Sequence, residues 1–135
     1  MIQPKPIAQE HCTGCAVACV ASACGISYAA ALKLFTHQEH AGFRGYYCPE
    51  VVAALQKAGL RYAWRKVTGK NRALLRKEGA IVFVGSSTRY PLGHFLLKTR
   101  KGWMNIPAIG DVRAGFCSRL PGKAQWVIYP QGALG

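Results

Sequence analysis

From Cys15 to Cys24 the chain reads Cys-Ala-Val-Ala-Cys-Val-Ala-Ser-Ala-Cys, with almost no polar position. A helix that is apolar all round is a buried helix. Thr13 and Gly14 stand before this run as a cap, and Gly25 closes it. Ser27 then caps a second predicted helix, Tyr28 to Phe35. The stretch from His37 to Tyr47 has mixed polarity and two glycines, and reads as a loop. Pro49 sits in the first turn of a third predicted helix, Pro49 to Ala58, which gathers Val51, Val52 and Leu55 on one face. Leu60 to Val67 alternates as a strand, and Asn71 to Glu78 reads as a short basic helix closed by Gly79.

The second half changes character. Ala80 to Val84 is a continuous apolar strand. Gly93 to Thr99 and Trp103 to Ile106 form a predicted hairpin around Arg100-Lys101-Gly102, and Gln125 to Tyr129 makes a last strand. Helices first and antiparallel strands afterwards define an α+β class. No repeat or linker interrupts residues 1–135, which read as a single domain.

Composition adds partners and compartment. Half of the 135 residues are hydrophobic, enough to bury roughly two thirds of the extended surface without staples. No apolar run approaches the ~20 residues that span a bilayer. Eighteen Lys and Arg against five Asp and Glu give a formal charge of +13, a field that attracts polyanions, acidic surfaces or acidic proteins. The cations are densest at Arg61, Arg65, Lys66, Lys70, Arg72, Arg76 and Lys77, with no helix-turn-helix, zinc-finger or aromatic RNA-binding signature beside them. Four of the six cysteines fall at 12, 15, 19 and 24, too close along one helix to pair among themselves. Reduced thiols with one reactive member suit a cytoplasmic setting, bacterial or phage-encoded. Ala21-Ser22-Ala23-Cys24 resembles a lipoprotein cleavage box, but Glu10 and His11 stand where such a signal wants positive charge.

A thiolate nucleophile needs a base, a group that orients the base, and donors for the developing oxyanion. Cys15 opens the apolar helix, where the macrodipole lowers a thiol pKa. Gln9 lies six residues upstream in extended chain, where its amide and the Cys15 backbone N–H would serve as oxyanion donors. His94 heads the hairpin and Asn105 lies on its second strand, about one register step away and on the same face. These four residues fit the nucleophile, oxyanion, base and orienting roles, with Asp111 as the fallback for the last.

Gln9-x-x-Cys12-x-x-Cys15-Ala resembles the active-site segment of papain-like cysteine peptidases. Ala18-Cys19 and Gly93-His94-Phe95-Leu96-Leu97 are closer still to the bacteriocin-processing peptidase domain of peptide-exporting ABC transporters and its free-standing relatives. Val51-Val52-Ala-Ala-Leu55-x-x-x-Gly59-Leu60 resembles the helix between the family's two catalytic segments. The resemblance implies a papain-like fold and cofactor-free, thiol-dependent hydrolysis of peptide or protein substrates. It carries Cys15 over as nucleophile, Gln9 as oxyanion residue, His94 as base and acid, and Asn105 as orienting residue. It also raises a Cys12–Cys48 pairing, as in larger relatives.

Other readings stand beside it. The same thioester chemistry serves a glutamine deamidase or an acyl transferase. A catalytically silent shell would leave a basic binding module. Cys12-x-x-Cys15 also fits thiol–disulfide exchange, and Cys12, Cys15, His37 and His40 have tolerable spacing for zinc. Trp64, Trp103 and Trp126 read as core or groove wall.

Overall fold

In the computed structural model the residues described are 14–42, 45–87, 90, 93–105 and 115–131. The first helix, α1, spans Cys15–Cys24 as its pattern predicts. Gly14 is its N-cap, with the Gly14 carbonyl accepting the Ala18 N–H at 3.0 Å. Gly25 ends it at φ 70°, a left-handed conformation that suits glycine, and its N–H reaches the Ala21 and Ser22 carbonyls. Every residue from Ala16 to Ala21 is fully buried.

The second helix, α2, covers Tyr28–Leu32, with Ser27 Oγ accepting the Ala30 N–H at 3.1 Å. It stops short of Phe35 because the Leu34 and Phe35 N–H groups bond three residues back, to Ala31 and Leu32, and tighten the last turn. Phe35 is buried all the same. Inside the predicted 37–47 loop lies one 3-10 turn, Gln38–Gly42. The third helix, α3, is Cys48–Lys57, with Tyr47 at its N-cap and Glu50 Oε1 accepting the Tyr47 N–H at 2.8 Å.

Six strands follow among the described residues: β1 Tyr62–Lys66, β2 Ile81–Val84, β3 His94–Thr99, β4 Gly102–Asn105, β5 Gly115–Cys117 and β6 Ala124–Pro130. They form one sheet in the order β1-β6-β2-β3-β4-β5, with every neighbouring pair antiparallel. The architecture is therefore α+β, N-terminal helices against a C-terminal antiparallel sheet. β5 is a strand that the sequence pattern does not announce. The predicted basic helix at Asn71–Glu78 is a 3-10 turn, Arg72–Arg76. Asn71 explains the difference: its Oδ1 accepts the Thr68 N–H at 2.8 Å and its Nδ2 donates to the Lys66 carbonyl at 2.9 Å. A side chain so engaged by the preceding loop holds a turn rather than a helix start.

The sheet is buried on both sides, which is why β2 and residues Phe95 to Leu97 of β3 are continuously apolar. Ile81, Phe95, Leu97, Met104 and Ile128 pack with the three helices. Val82, Val84, Leu96, Trp103 and Val127 form a second cluster on the opposite side, with Leu75 and Ala80. No helix among the described residues is long and apolar enough to cross a membrane.

Candidate active site

Cys15 is the first residue of α1, and α1 packs along β3. Cys15 is half-buried beside this contact, and burial of the sulfur pushes the thiol up from its ordinary 9.0. The backbone N–H groups of Phe95, Ala16 and Cys15 itself pull in the other direction without overcoming it. The expectation that the helix end alone lowers this pKa is thus reversed. The helix-terminal amides do favour thiolate, but desolvation of the sulfur against β3 outweighs them. Cys19, one turn further and fully buried, is pushed well above 9.0 by burial and then by its proximity to Cys15.

Phe95 follows His94 directly, so the sulfur meets β3 one residue from the predicted base. His94 pairs with Val84 across the sheet and is buried at 4% exposure. Its ring lies flat on Tyr90, with centroids 4.0 Å apart and planes within 5°. Tyr90 is fixed by a tight turn: its N–H donates to Ser87 Oγ at 3.1 Å, and its carbonyl accepts from the N–H groups of Ser87 and Gly93, both at 2.9 Å. Along β3, Phe95 and Leu97 face the helices and Leu96 faces away. Alternation sets His94 with Leu96. Cys15 and His94 therefore flank the first residues of one strand from two directions.

Gly93 is what lets the chain enter β3 here. Its φ is +79°, and a Cβ on it would stand 2.2 Å from Phe83 Cζ and 2.7 Å from the Val84 carbonyl oxygen. Phe83 in turn packs on Phe95, centroids 4.9 Å apart. The Gly-His pair seen in the sequence is thus a steric arrangement: glycine crosses the Phe83 ring, and the histidine begins the strand.

Asn105 is the last residue of β4. The β3–β4 ladder ends at the pair Leu97 with Met104; extending that register by one residue sets position 105 across from Leu96, two residues along β3 from His94. The expected hairpin is found with a tighter turn: Gly102, read from the sequence as part of the turn, is the first residue of β4 and pairs with Thr99. Gln9, Cys12 and Asp111 lie outside the described residues. Cys48 is a free thiol whose burial pushes it up to about 12; the Cys12 half of the expected pairing lies outside the described residues. Cys15, Cys19 and Cys24 are free thiols as well, and the Cys117 thiol donates to the Arg119 carbonyl at 3.1 Å.

Sequence reasoning missed Tyr90 and the Phe95 N–H. Neither residue type signals a site by itself; the readable cue was Gly93, which marks the approach to His94. Among the described residues the grouping with metal-ligand geometry is His37, Glu39 and His40, and it includes neither Cys15 nor His94.

The seven cations between Arg61 and Lys77 are all exposed. Arg65 Nε donates to the Tyr129 hydroxyl at 2.9 Å. Trp64, 40% exposed, packs on Trp126 with centroids 5.4 Å apart, whereas Trp103 is buried in the second cluster. Comparison of the chain with protein-family models and with curated proteins gave no match.

Proposed function

We propose that the chain is a cysteine peptidase of papain-like design. The observation that supports this most is the convergence of two elements. The Cys15 sulfur, at the N-terminus of a buried helix, lies against the Phe95 N–H at the head of the strand that His94 begins. Asn105 ends the neighbouring strand, across from a point two residues along β3 from His94.

In this reading the resting thiol is protonated, as its burial favours. His94, reaching round the head of β3 from its other face, takes the proton as sulfur attacks the substrate carbonyl, forming an S–C bond and an oxyanion. The Cys15 N–H and the Gln9 amide stabilise that oxyanion, and one such donor contributes roughly 2.7–4 kcal/mol in comparable sites. Collapse breaks the C–N bond, and the imidazolium protonates the leaving amine. His94 then deprotonates water, which attacks the thioester and releases the acid and the free thiol. Asn105 holds the imidazole in the tautomer that serves both steps.

The test is peptide cleavage by wild type, Cys15→Ala and His94→Ala, with pH-dependent alkylation of Cys15 followed in parallel. Cleavage lost in both variants, and alkylation made faster by His94, is the expected outcome. Cleavage by Cys15→Ala at the wild-type rate refutes the peptidase. A wild-type protein that leaves the peptide backbone intact but adds about one dalton to a glutamine-containing protein indicates deamidation by the same thiol. The enclosed sulfur and the exposed cations also support a second reading, a catalytically silent module that binds polyanions. Cys15 alkylation unaffected by His94→Ala, together with polyanion binding lost on charge reversal at Arg65 and Arg72, would favour that module.

A further inference from the structure

Away from the thiol, the segment before α3 and the first turn of α3 bring two imidazoles and two carboxylates together. His37 Nδ1 stands 3.5 Å from Glu39 Oε2, and His40 Nε2 stands 3.8 Å from the same oxygen. One ligand atom from each of His37, Glu39 and His40 lies within 4.8 Å of the others. A tetrahedral ion with bonds of about 2.0–2.1 Å to nitrogen and oxygen separates its ligand atoms by roughly 3.3 Å. Closing the observed spacing needs shifts of well under a side-chain rotamer change.

The second nitrogen of His40 is the more telling feature. His40 Nδ1 lies 3.7 Å from Glu50 Oε2, while Glu50 Oε1 accepts the Tyr47 N–H at 2.8 Å. A histidine with one nitrogen turned to a cluster of donors and the other to an anchored carboxylate has the arrangement of a metal ligand with its outer-shell partner. At 3.7 Å the Glu50 carboxylate stands just beyond hydrogen-bond distance, and a small approach on metal binding would let it accept the His40 Nδ1–H and raise ligand basicity. His37 is held through its backbone, since its carbonyl accepts the Tyr46 hydroxyl at 2.6 Å and Tyr46 packs on the buried Phe35. His40 is mostly enclosed, at 17% side-chain exposure, whereas His37 and Glu39 face solvent at 57% and 63%. The site thus has a rigid inner ligand and an open outer side. The overall charge of +13 opposes a cation, and the local compensation is that two of the chain's five acidic residues converge on His40.

We propose that His37, Glu39 and His40 bind a divalent transition-metal ion of the zinc type, with Glu50 as the outer-shell partner of His40 and a solvent-facing position left for water. Imidazole with a single carboxylate selects zinc, cobalt, nickel or copper over magnesium and calcium, which prefer oxygen alone. This set replaces the zinc ligands suggested by spacing alone, because Cys15 is enclosed against β3 and takes no part in the grouping.

The experiment is titration of the reduced, full chain with Co2+ and Zn2+, followed by ligand-field absorption and calorimetry, with Mg2+ as control. Wild type and Cys15→Ser are expected to bind one ion alike, without sulfur-to-cobalt charge transfer, and to melt higher in Zn2+. His37→Ala and His40→Ala are expected to lose that ion, and Glu50→Gln to weaken it about 10- to 100-fold. His37 is exposed, so its variant removes a ligand without opening the core. Thiolate charge-transfer bands, or unchanged affinity in both His37→Ala and Glu50→Gln, would mean an adventitious ion only and would overturn the site. The peptidase reading stands or falls separately, on Cys15 and His94.

Discussion

Gly93 concentrates more of the fold's constraints than any polar residue near the thiol. It combines a left-handed φ with contact against the Phe83 ring and the Val84 carbonyl. Gly93→Ala must move a ring that is packed on Phe95, or move backbone. We expect it to lower stability by about 2 kcal/mol and to weaken any dependence of Cys15 alkylation on His94. Urea unfolding and alkylation kinetics on the same preparation measure both. A variant as stable as wild type, with unchanged reactivity, would show that the entry to β3 tolerates a side chain there. The thiol illustrates a related limit at this scale. Residue type and position marked Cys15 as the helix-opening cysteine, but its pKa direction follows from how closely α1 lies on β3, which no local pattern encodes.

Among the elements, α1 was legible to the residue, because Gly14 and Gly25 bracket a run with no polar face. The β3–β4 hairpin was legible for a similar reason, two ladders meeting at a short basic turn. With it came the placement of position 105 relative to His94. β5 was not legible: three residues cannot show alternation, and their pairing exists only through β4. The Arg72–Arg76 turn was misread as a helix because its period is helical over a few residues. What decides it is Asn71, whose side chain is committed backwards to Thr68 and Lys66. Asn71→Ala removes both bonds and should cost about 1–2 kcal/mol, read as a lower urea midpoint with unchanged m-value. A neutral result would assign the turn's stability to Leu75 and its packing instead.

For the molecule as a whole, buried thiols set a pH limit. Burial raises Cys15, Cys19, Cys24 and Cys48 in the folded state, Cys48 to about 12, and Tyr62 also rises to about 12. Unfolded thiols titrate near 9.0, so above that pH the unfolded chain binds fewer protons than the native one. Stability is then fully present below about pH 9 and declines as pH rises, by up to ~1.4 kcal/mol per pH unit for each such thiol. Urea unfolding in reductant from pH 7 to 10.5 should show the decline, and Cys48→Ala should flatten it. A stability that rises over this range would contradict the burial of these groups. The strand order has a different consequence, one of timing. β6, last along the chain, lies between β1 and β2. During synthesis those two strands therefore wait with open edges until residues 124–130 emerge, although the segment holding Cys15 was made long before. Sheet completion depends on these distant contacts, which form slowly. A nascent chain ending before Ala124 would thus present its helices and its thiol on an unfinished support, and the thiol's final environment forms only once β6 has joined the sheet.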